Sequence, residues 1–268
     1  MAIQLLVYEN AVPVSRQRHK EWSVKTGSDY SFARKVNSVP LMVGEFASAA
    51  PEYPVVFAGT KDEVVPAVLL GFRDQENLYV DQQGGWKAKY IPAFLRRYPF
   101  VFASHADAQN FTLCIDESFS GCNTEGRGER LFDSTGEQTQ YVKTVLGFLQ
   151  AYQQQFQRTQ ALCRKLRDLD LLEPMQAQVS LPAGQRITLG GFFAVNRDRL
   201  KGLPAETLSE LARADELELV YLHLGSMHNF AAMGNRAREA IAPEPSGQTA
   251  DKPGDKAEPT APGPTTLQ

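Results

Sequence analysis

The sequence predicts an α+β fold: a strand-rich N-terminal half with short helices, then a long helix, a β-hairpin and two C-terminal helices. Short β-prone runs separated by turn residues fill the first half of the chain. A three- and four-residue apolar period then continues over residues 135–168. The strands and helices do not alternate in a regular βαβ rhythm, which favours an α+β arrangement over a parallel α/β sheet.

The N-terminal half contains runs of β-branched, aromatic and other apolar residues that are typical of strands. They lie at residues 3–8, 54–58, 65–72, 77–81, 99–104 and 110–116. Two short helices are predicted between them, at residues 41–50 after Pro40 and at residues 90–98 around Pro92. Proline is tolerated in the first turn of a helix, where its missing N–H group is not needed.

The long helix is predicted over residues 135–168. Val142, Val145 and Leu149 belong to an apolar stripe that would face the core. Thr135 and Gln138 have the spacing of a capping box, which predicts that the helix begins there.

A β-hairpin and two helices are predicted to follow the long helix. The strands at residues 175–181 and 186–196 are separated by the turn sequence PAGQ. One helix covers residues 204–215, and the last begins after Asp215, a candidate N-cap residue. Apolar residues lie on several sides of this last helix, which predicts that it is buried or covered by a partner.

The domain prediction is a single globular domain over residues 1–240 and a disordered proline-rich tail over residues 241–268. A chain of 268 residues is long enough to bury a substantial core. Residues 243–268 contain six prolines and almost no large apolar group, so this segment cannot bury enough surface to offset the entropy of ordering it.

Charge and composition exclude several classes of protein. The formal net charge of −3 argues against a chain built mainly to hold nucleic acid. No apolar run approaches the roughly 20 residues that span a bilayer, so the protein is not expected to be transmembrane. The start of the chain does not resemble a secretory signal, and we expect a cytoplasmic protein, with export without a classical signal peptide as the alternative.

The acidic segment, residues 114–133, is the first candidate for a chemical site because it holds two cysteines and five carboxylates. Cys114 and Cys122 do not have zinc-ligand spacing, and the carboxylates do not have the spacing of a calcium loop. The three cysteines of the chain, which include Cys163, form an odd set that fits reduced thiols. We therefore predict a solvated loop, no metal and no cofactor.

The histidines and serines do not form a recognisable catalytic pattern. His223 and His228 are five residues apart on a predicted helix, which places them about 140° apart around its axis. They do not share a face as paired metal ligands would, and they are interpreted as surface or core histidines. No G-x-S-x-G motif is present.

Residues 86–100 interleave four cations with five aromatic residues. The favoured interpretation is a segment that buries its aromatic rings and extends its cations to water. A patch for a protein or an anionic glycan is the next interpretation. Stacking of single-stranded nucleic acid is the least favoured one, because the whole chain is acidic.

Several stretches, in order, resemble the SapC family of bacterial proteins up to about residue 233. They are NAVPVSRQRH, EFASAAPEYPVVF, ENLYVDQQGGWKAKYIPAFLRRYPF, LCIDE, GERLFDSTGEQT, FLQAYQQQFQRTQALC, LLEPMQAQV, GGFFAVNRDRL and LVYLHLGSMHN. The resemblance implies an accessory or binding protein associated with bacterial surface-layer or outer-membrane uptake systems, with a protein or cell-surface glycan partner. It supplies no catalytic residue.

Two hypotheses of function follow. The preferred one is a non-enzymatic binding protein, and its candidate ligand-binding residues are Glu45, Arg96, Arg97, Cys114, Asp116 and Glu117. The alternative is an enzyme that modifies a peptide or a small molecule, with carboxylates and His105, His223 or His228 as acid–base groups.

Overall fold

A computed structural model of the chain describes residues 6–60, 62–104, 111–180 and 185–240. It confirms the α+β fold, with strands in the N-terminal half, a long central helix, a β-hairpin and C-terminal helices. The predicted tail at residues 241–268 lies outside the described residues and stays a prediction.

A five-stranded antiparallel sheet is the centre of the fold, and its strand order is β10-β11-β4-β5-β3. Its strands are β3 (Ser38–Pro40), β4 (Val55–Gly59), β5 (Val64–Leu69), β10 (Leu172–Ser180) and β11 (Arg186–Val195). The predicted hairpin is β10 and β11, and its end joins the N-terminal strands where Phe193 pairs with Phe57. The apolar side chains of this sheet contribute to two hydrophobic clusters.

Two small antiparallel sheets lie beside the central one, with strand orders β1-β7-β6 and β8-β2-β9. The first contains β1 (Ala11–Pro13), β6 (Phe100–Ser104) and β7 (Phe111–Asp116). The second contains β2 (Ser23–Val24), β8 (Cys122–Asn123) and β9 (Glu129–Arg130). The acidic segment is therefore not one continuous loop, because it includes the end of β7 and two short strands that pair with β2.

Two of the predicted strands are wrong in the part of the chain that the structure describes. Residues 6–8 are not in a strand, since Leu6 and Val7 lie in a turn, and the first strand among the described residues begins at Ala11. Residues 77–81 form only one bridge, between Val80 and Trp86. The Asn77 side chain accepts the Tyr79 N–H and donates to the Ala33 carbonyl oxygen, and such bonds compete with a strand ladder.

Short helices and 3₁₀ turns connect the strands. The helices are α1 (Arg16–His19), α2 (Phe46–Ala49) and α3 (Ala93–Arg96), and the 3₁₀ turns are Ser31–Ala33 and Val43–Glu45. The helices predicted at 41–50 and 90–98 are present but shorter than expected.

The long helix is α4 (Gln140–Asp168), and it begins five residues later than the capping-box prediction. Thr139 is the N-cap, and its hydroxyl accepts the Val142 N–H. Thr135 instead donates to Asp133 in the preceding turn. One face of α4 is buried, through Val142, Leu149, Tyr152, Thr159, Leu162, Cys163 and Leu166.

Between residues 185 and 240, the described C-terminal part of the chain holds two more helices than predicted. The helices are α5 (Arg197–Lys201), α6 (Ala205–Arg213), α7 (Glu216–Ser226) and α8 (Asn229–Glu239). Asp215 precedes α7 in the left-handed region at φ 58°, and its side chain makes no capping hydrogen bond, so the predicted cap is wrong. Helix α7 packs against α2, α6, β4 and β11, which explains its apolar faces. No helix in the described ranges has the length and apolar character needed to cross a membrane.

Candidate functional site

A surface cleft of about 370 Å³ lies between the loop before β3, helix α3, the Phe119 turn and the first turns of α4. We call it the aromatic cleft. Its lining residues are Thr26, Gly27, Asp29, Tyr30, Phe32, Leu95, Arg96, Arg97, Tyr98, Phe100, Phe119, Tyr141, Thr144, Val145 and Phe148. Aromatic rings and two arginines dominate this lining, so the cleft offers flat apolar surfaces next to positive charge.

A tight turn holds one wall of the cleft in place. The Tyr30 N–H donates to the Gly84 carbonyl oxygen at 2.7 Å, and the Ser31 N–H donates to Asp29 Oδ1 at 2.8 Å. Gly84 has φ 88°, and a Cβ atom there would lie 2.2 Å from Asp29 Oδ1. The positive φ favours glycine, and a larger residue would also press its Cβ atom against the Asp29 side chain. The contact fixes the position of Tyr30 at the cleft.

Aromatic pairs stiffen the remaining walls. Phe32 stacks on Tyr98 with 4.2 Å between ring centroids, and Phe119 meets Tyr98 edge-on at 5.2 Å. Tyr141 of α4 meets Phe100 of β6 edge-on at 5.9 Å. Such pairs add stability beyond the area that they bury, which favours a cleft that is formed before a ligand arrives.

Arg96 lies at the mouth of the cleft, and its side chain is exposed. Its Nε donates to the Ile91 carbonyl oxygen at 2.9 Å, and Nη2 contacts the Tyr90 hydroxyl at 3.4 Å. The guanidinium carbon lies 5.3 Å from the centroid of the Phe148 ring. Within the described residues, no carboxylate forms an ion pair with Arg96.

Glu45 lies outside the cleft but is connected to Arg96. The Glu45 carboxylate is buried and accepts three hydrogen bonds: from the Met42 N–H at 2.9 Å, the Ala93 N–H at 2.6 Å and the Tyr90 hydroxyl at 2.7 Å. Tyr90 in turn contacts Arg96. Glu45 therefore ties the start of α3 to the turn before α2 and orients the tyrosine beside Arg96.

Arg97 also belongs to the lining of the cleft, but it is buried, with only 4% of its surface exposed. Its guanidinium lies over the rings of Phe94, Tyr152 and Tyr8, at 4.4, 4.9 and 5.7 Å from their centroids. These ring faces attract the cation in place of water. Burial raises the pKa of the Tyr8 and Tyr152 hydroxyls, and the Arg97 charge opposes that rise.

Asp116 has a structural role and does not line the cleft. Its carboxylate is fully buried and accepts the backbone N–H groups of Glu9, Asn10 and Ser118 at 2.8 to 3.0 Å. The Tyr98 hydroxyl approaches it at 3.4 Å. Asp116 therefore links the segment before β1 to the turn after β7 through these hydrogen bonds.

Glu117 is also engaged in holding the fold together. It accepts a bidentate pair from Arg18 at 2.5 and 2.6 Å, and it contacts the buried His19 Nε2 at 3.1 Å. The hydrogen bonds from Arg18 hold the pKa of Glu117 below its usual range. The Ser15 N–H donates to the other ring nitrogen of His19, so this histidine is fully engaged.

The cysteines form neither a disulfide nor a reactive centre in the described structure, and all three are free thiols. Cys114 and Cys163 are buried in the core, where cysteine acts as a small apolar residue. Burial raises the pKa of Cys122 to about 11 and that of Cys163 to about 12. The thiolate is the reactive form, so these thiols are poor nucleophiles near neutral pH.

Neither of the two described histidines proposed for acid–base chemistry, His223 and His228, lines the cleft. His223 is completely buried: it accepts the Val195 N–H at 3.0 Å, and its Nδ1 lies 2.7 Å from the Val55 carbonyl oxygen. Burial lowers its pKa to about 4. His228 is exposed and contacts the Gly225 carbonyl oxygen, and His105 lies outside the described residues.

Metal binding has no support in the part of the chain that the structure describes. No group of three His, Cys, Asp or Glu side chains there could hold an ion.

A second cavity of about 220 Å³ is lined by Arg167, Asp170, Glu173 and Arg199, among others. Arg199 and Asp170 form an ion pair at 3.0 Å, so that cavity is less suited to a charged ligand than the aromatic cleft.

The structure brings Arg96 and Arg97 together with Phe119 of the acidic segment, and Glu45 joins them through Tyr90. Cys114, Asp116 and Glu117 do not line the cleft. Sequence reasoning missed Tyr30, Phe32, Tyr141 and Phe148. Tyr141, Val145 and Phe148 follow a three- and four-residue spacing on α4, but no pattern in the sequence relates that face to the loop at residues 26–32.

Comparison with known proteins relates most of the chain to one family. The family model described as SapC matches residues 14–233, which includes every residue that lines the aromatic cleft. No curated protein and no solved structure matches the chain. The match covers far more than half of the sequence, and the chain belongs to the SapC family.

Proposed function

We propose that this SapC-family chain is a non-catalytic accessory protein that binds a protein or cell-surface glycan partner through the aromatic cleft. The composition of the cleft is the main support for this proposal. Its aromatic walls surround Arg96, which is exposed and has no carboxylate partner among the described residues. Aromatic residues and arginine are the side chains that carry most binding energy at interfaces.

The alternative, a modifying enzyme, has less support from the geometry. An acid–base pair must lie within hydrogen-bonding reach of a bound substrate. His223 is buried away from the cleft, and Asp116 and Glu117 are engaged with backbone N–H groups and with Arg18. These side chains stabilise the fold. Asp29 is the only carboxylate among the described lining residues, and its Oδ1 accepts the Ser31 N–H.

The biological setting is also part of the proposal. The family resemblance supports a role beside surface-layer or outer-membrane uptake systems, and the net charge of −3 supports a partner other than nucleic acid. We propose a cytoplasmic location, with export without a classical signal peptide as the alternative. Detection of the chain in separated cytoplasmic and envelope fractions decides between the two.

Affinity capture with cleft variants tests the proposed function. The full chain, the double variant Tyr30→Ala/Phe148→Ala and the control Tyr221→Ala are each incubated with cytoplasmic and envelope extracts. Tyr221 is an exposed aromatic residue on α7 that does not line the cleft. We expect the wild-type chain and the control to retain the same partner, and the double variant to lose most of it.

Thermal unfolding of the three proteins confirms that the variants are folded before capture is compared. Recovery of no specific partner by the wild-type chain would contradict the proposal. Equal recovery by the wild-type chain and the cleft variant would also contradict it, because the partner would then bind elsewhere.

A further inference from the structure

The guanidinium of Arg96 has N–H groups available to bind an anion in the described structure. Its Nε bonds to the Ile91 carbonyl oxygen and Nη2 to the Tyr90 hydroxyl, which leaves Nη1 and half of Nη2 without an acceptor in the described structure. A planar guanidinium with parallel N–H groups matches a carboxylate in a bidentate geometry. Arg96 therefore provides a carboxylate-binding group at the mouth of the cleft.

The charges around Arg96 favour an anionic ligand over a cationic one. Arg97 is a second cationic residue of the lining, and its guanidinium packs on the rings of Phe94, Tyr152 and Tyr8. Asp29 is the only carboxylate in the described lining, and its Oδ1 is occupied by the Ser31 N–H. Hydrogen bonds from Ser31 hold the pKa of Asp29 below its usual range, and Arg34 contributes to this shift. The Asp29 charge is thus partly balanced within its own turn.

Aromatic surface lies directly beside the guanidinium. The Arg96 guanidinium carbon is 5.3 Å from the Phe148 ring centroid and 5.7 Å from that of Tyr90. Its charge also acts on the Tyr30 hydroxyl, where it opposes the rise in pKa that burial causes. A ligand that satisfies both features must carry a ring and an anionic group within a few bonds of each other.

The size of the cleft restricts the ligand further. A volume of about 370 Å³ is near the lower end of the roughly 300–1,000 Å³ that ligand pockets occupy. This volume accommodates one residue-sized group. In a polypeptide, the residue that carries both a ring and a carboxylate within a few bonds is an aromatic residue at a free C-terminus.

We propose that the aromatic cleft binds the C-terminal aromatic residue of a protein partner, an inference that rests on the proposed function. The terminal carboxylate binds Arg96, and the ring packs between Tyr30 and Phe148. Capture of a chain terminus by a preformed group of donors is a known mode of peptide recognition.

Glu45 and Tyr90 are positioning residues for this recognition. The Tyr90 hydroxyl donates to Glu45 at 2.7 Å, so its oxygen lone pair is directed to Arg96. Glu45 also accepts the Ala93 N–H at the first residue of α3, the helix that ends at Arg96. Tyr90→Phe removes this link and keeps the ring, so it isolates the orienting role from the packing role.

Binding of short peptides to the full chain, measured by calorimetry, tests the proposal. The probes are an acetylated hexapeptide that ends in phenylalanine with a free carboxylate, the same peptide as its C-terminal amide, and a peptide that ends in alanine. We expect the free acid to bind about tenfold or more tightly than the amide, the scale of one charge-assisted hydrogen-bonded pair. The peptide that ends in alanine should bind weakest.

The variants separate the roles of the cleft residues. Arg96→Gln should remove the preference for acid over amide, Tyr90→Phe should reduce it several-fold, and Phe148→Leu should weaken both peptides alike. The control is Arg213→Gln, which changes an exposed arginine of α6 outside the cleft and should leave both affinities unchanged. A merely structural role of Tyr90 would weaken both peptides equally and leave the preference intact.

Equal binding of acid and amide by the wild-type chain would overturn the proposal. Binding of glucuronic acid with no binding of any peptide would also overturn it and would assign the cleft to an acidic sugar. Capture of a cleft-dependent partner that has no aromatic C-terminus would remove this inference and leave the proposed function intact. A chain that binds the acid peptide selectively but captures no partner would retain this inference and contradict the proposed function.

Discussion

At the scale of single residues, burial decides whether a polar side chain is available for binding or catalysis or instead stabilises the fold. His223 lies on an apolar helix, accepts one backbone N–H and contacts one backbone carbonyl, and thereby joins α7 to β4 and β11. His228, five residues further on, is exposed. The roles of Asp116 and Glu117 were not predictable, because their partners near the N-terminus are about 100 residues away.

The burial of His223 predicts a pH dependence of stability. Its folded-state pKa of about 4 lies below the ordinary value of 6.5. Between these values the unfolded chain takes up a proton that the folded chain does not, so stability is complete above pH 6.5 and falls as the pH is lowered toward 4. We expect this group to remove about 2 kcal/mol between pH 7.5 and 5. Urea unfolding at both pH values measures the change.

The matched comparison is His223→Gln against His228→Gln, since both replace one histidine, a buried one within α7 and an exposed one just before α8. The first variant should lose stability at pH 7.5 and should show a shallower decline toward pH 5. The second should follow the wild-type chain. Parallel declines in all three proteins would contradict the assignment of this pH dependence to His223.

At the scale of secondary structure, the long helix shows what periodicity and capping patterns determine. The apolar period located α4, and its end at Asp168 agrees with the prediction. The predicted start was wrong because two threonines, Thr135 and Thr139, are both candidates for the N-cap. Thr135 is engaged by Asp133 in a turn, and Thr139 is anchored by donating to the Arg130 carbonyl oxygen at 2.6 Å. The preceding turn therefore decides which threonine begins the helix.

Replacement of the two threonines tests this assignment. Thr139→Ala should destabilise the protein by about 1 kcal/mol, the usual cost of removing an N-cap hydroxyl. Thr135→Ala should change the stability by less than about 0.5 kcal/mol, as expected for an exposed substitution. The free energy of unfolding in urea measures both. A larger loss for Thr135→Ala would restore the capping box at residues 135–138.

At the scale of the whole molecule, the aromatic cleft joins segments that are far apart in the sequence. Tyr30, Arg96, Phe119 and Phe148 come from four segments, and no two of them are neighbours along the chain. Helix α8 closes the core at the other end: Met233 is buried, and Asn229 donates to the carbonyl oxygens of Ala50 and Tyr53. The fold therefore needs the chain at least as far as α8.

Truncation tests where the folded domain ends. A chain that stops after residue 240 should keep the urea midpoint and slope of the full chain, because the removed segment has almost no large apolar groups. A chain that stops after residue 226 loses α8 and should be destabilised by at least about 3 kcal/mol, the scale of a large deletion in a core. A clear loss of stability on removal of the tail would show that the domain extends beyond residue 240.

The sequence by itself determined the α+β class, the position of the long helix, the hairpin and the family, because these depend on local periodicity, turn residues and ordered motifs. Tertiary structure alone decided which candidate residues share a surface. Arg96 is in the cleft and Asp116 is in the core, although both belong to polar stretches of the sequence. The physical reason is that burial and hydrogen-bond partners depend on contacts between distant segments, and a linear pattern does not specify those contacts.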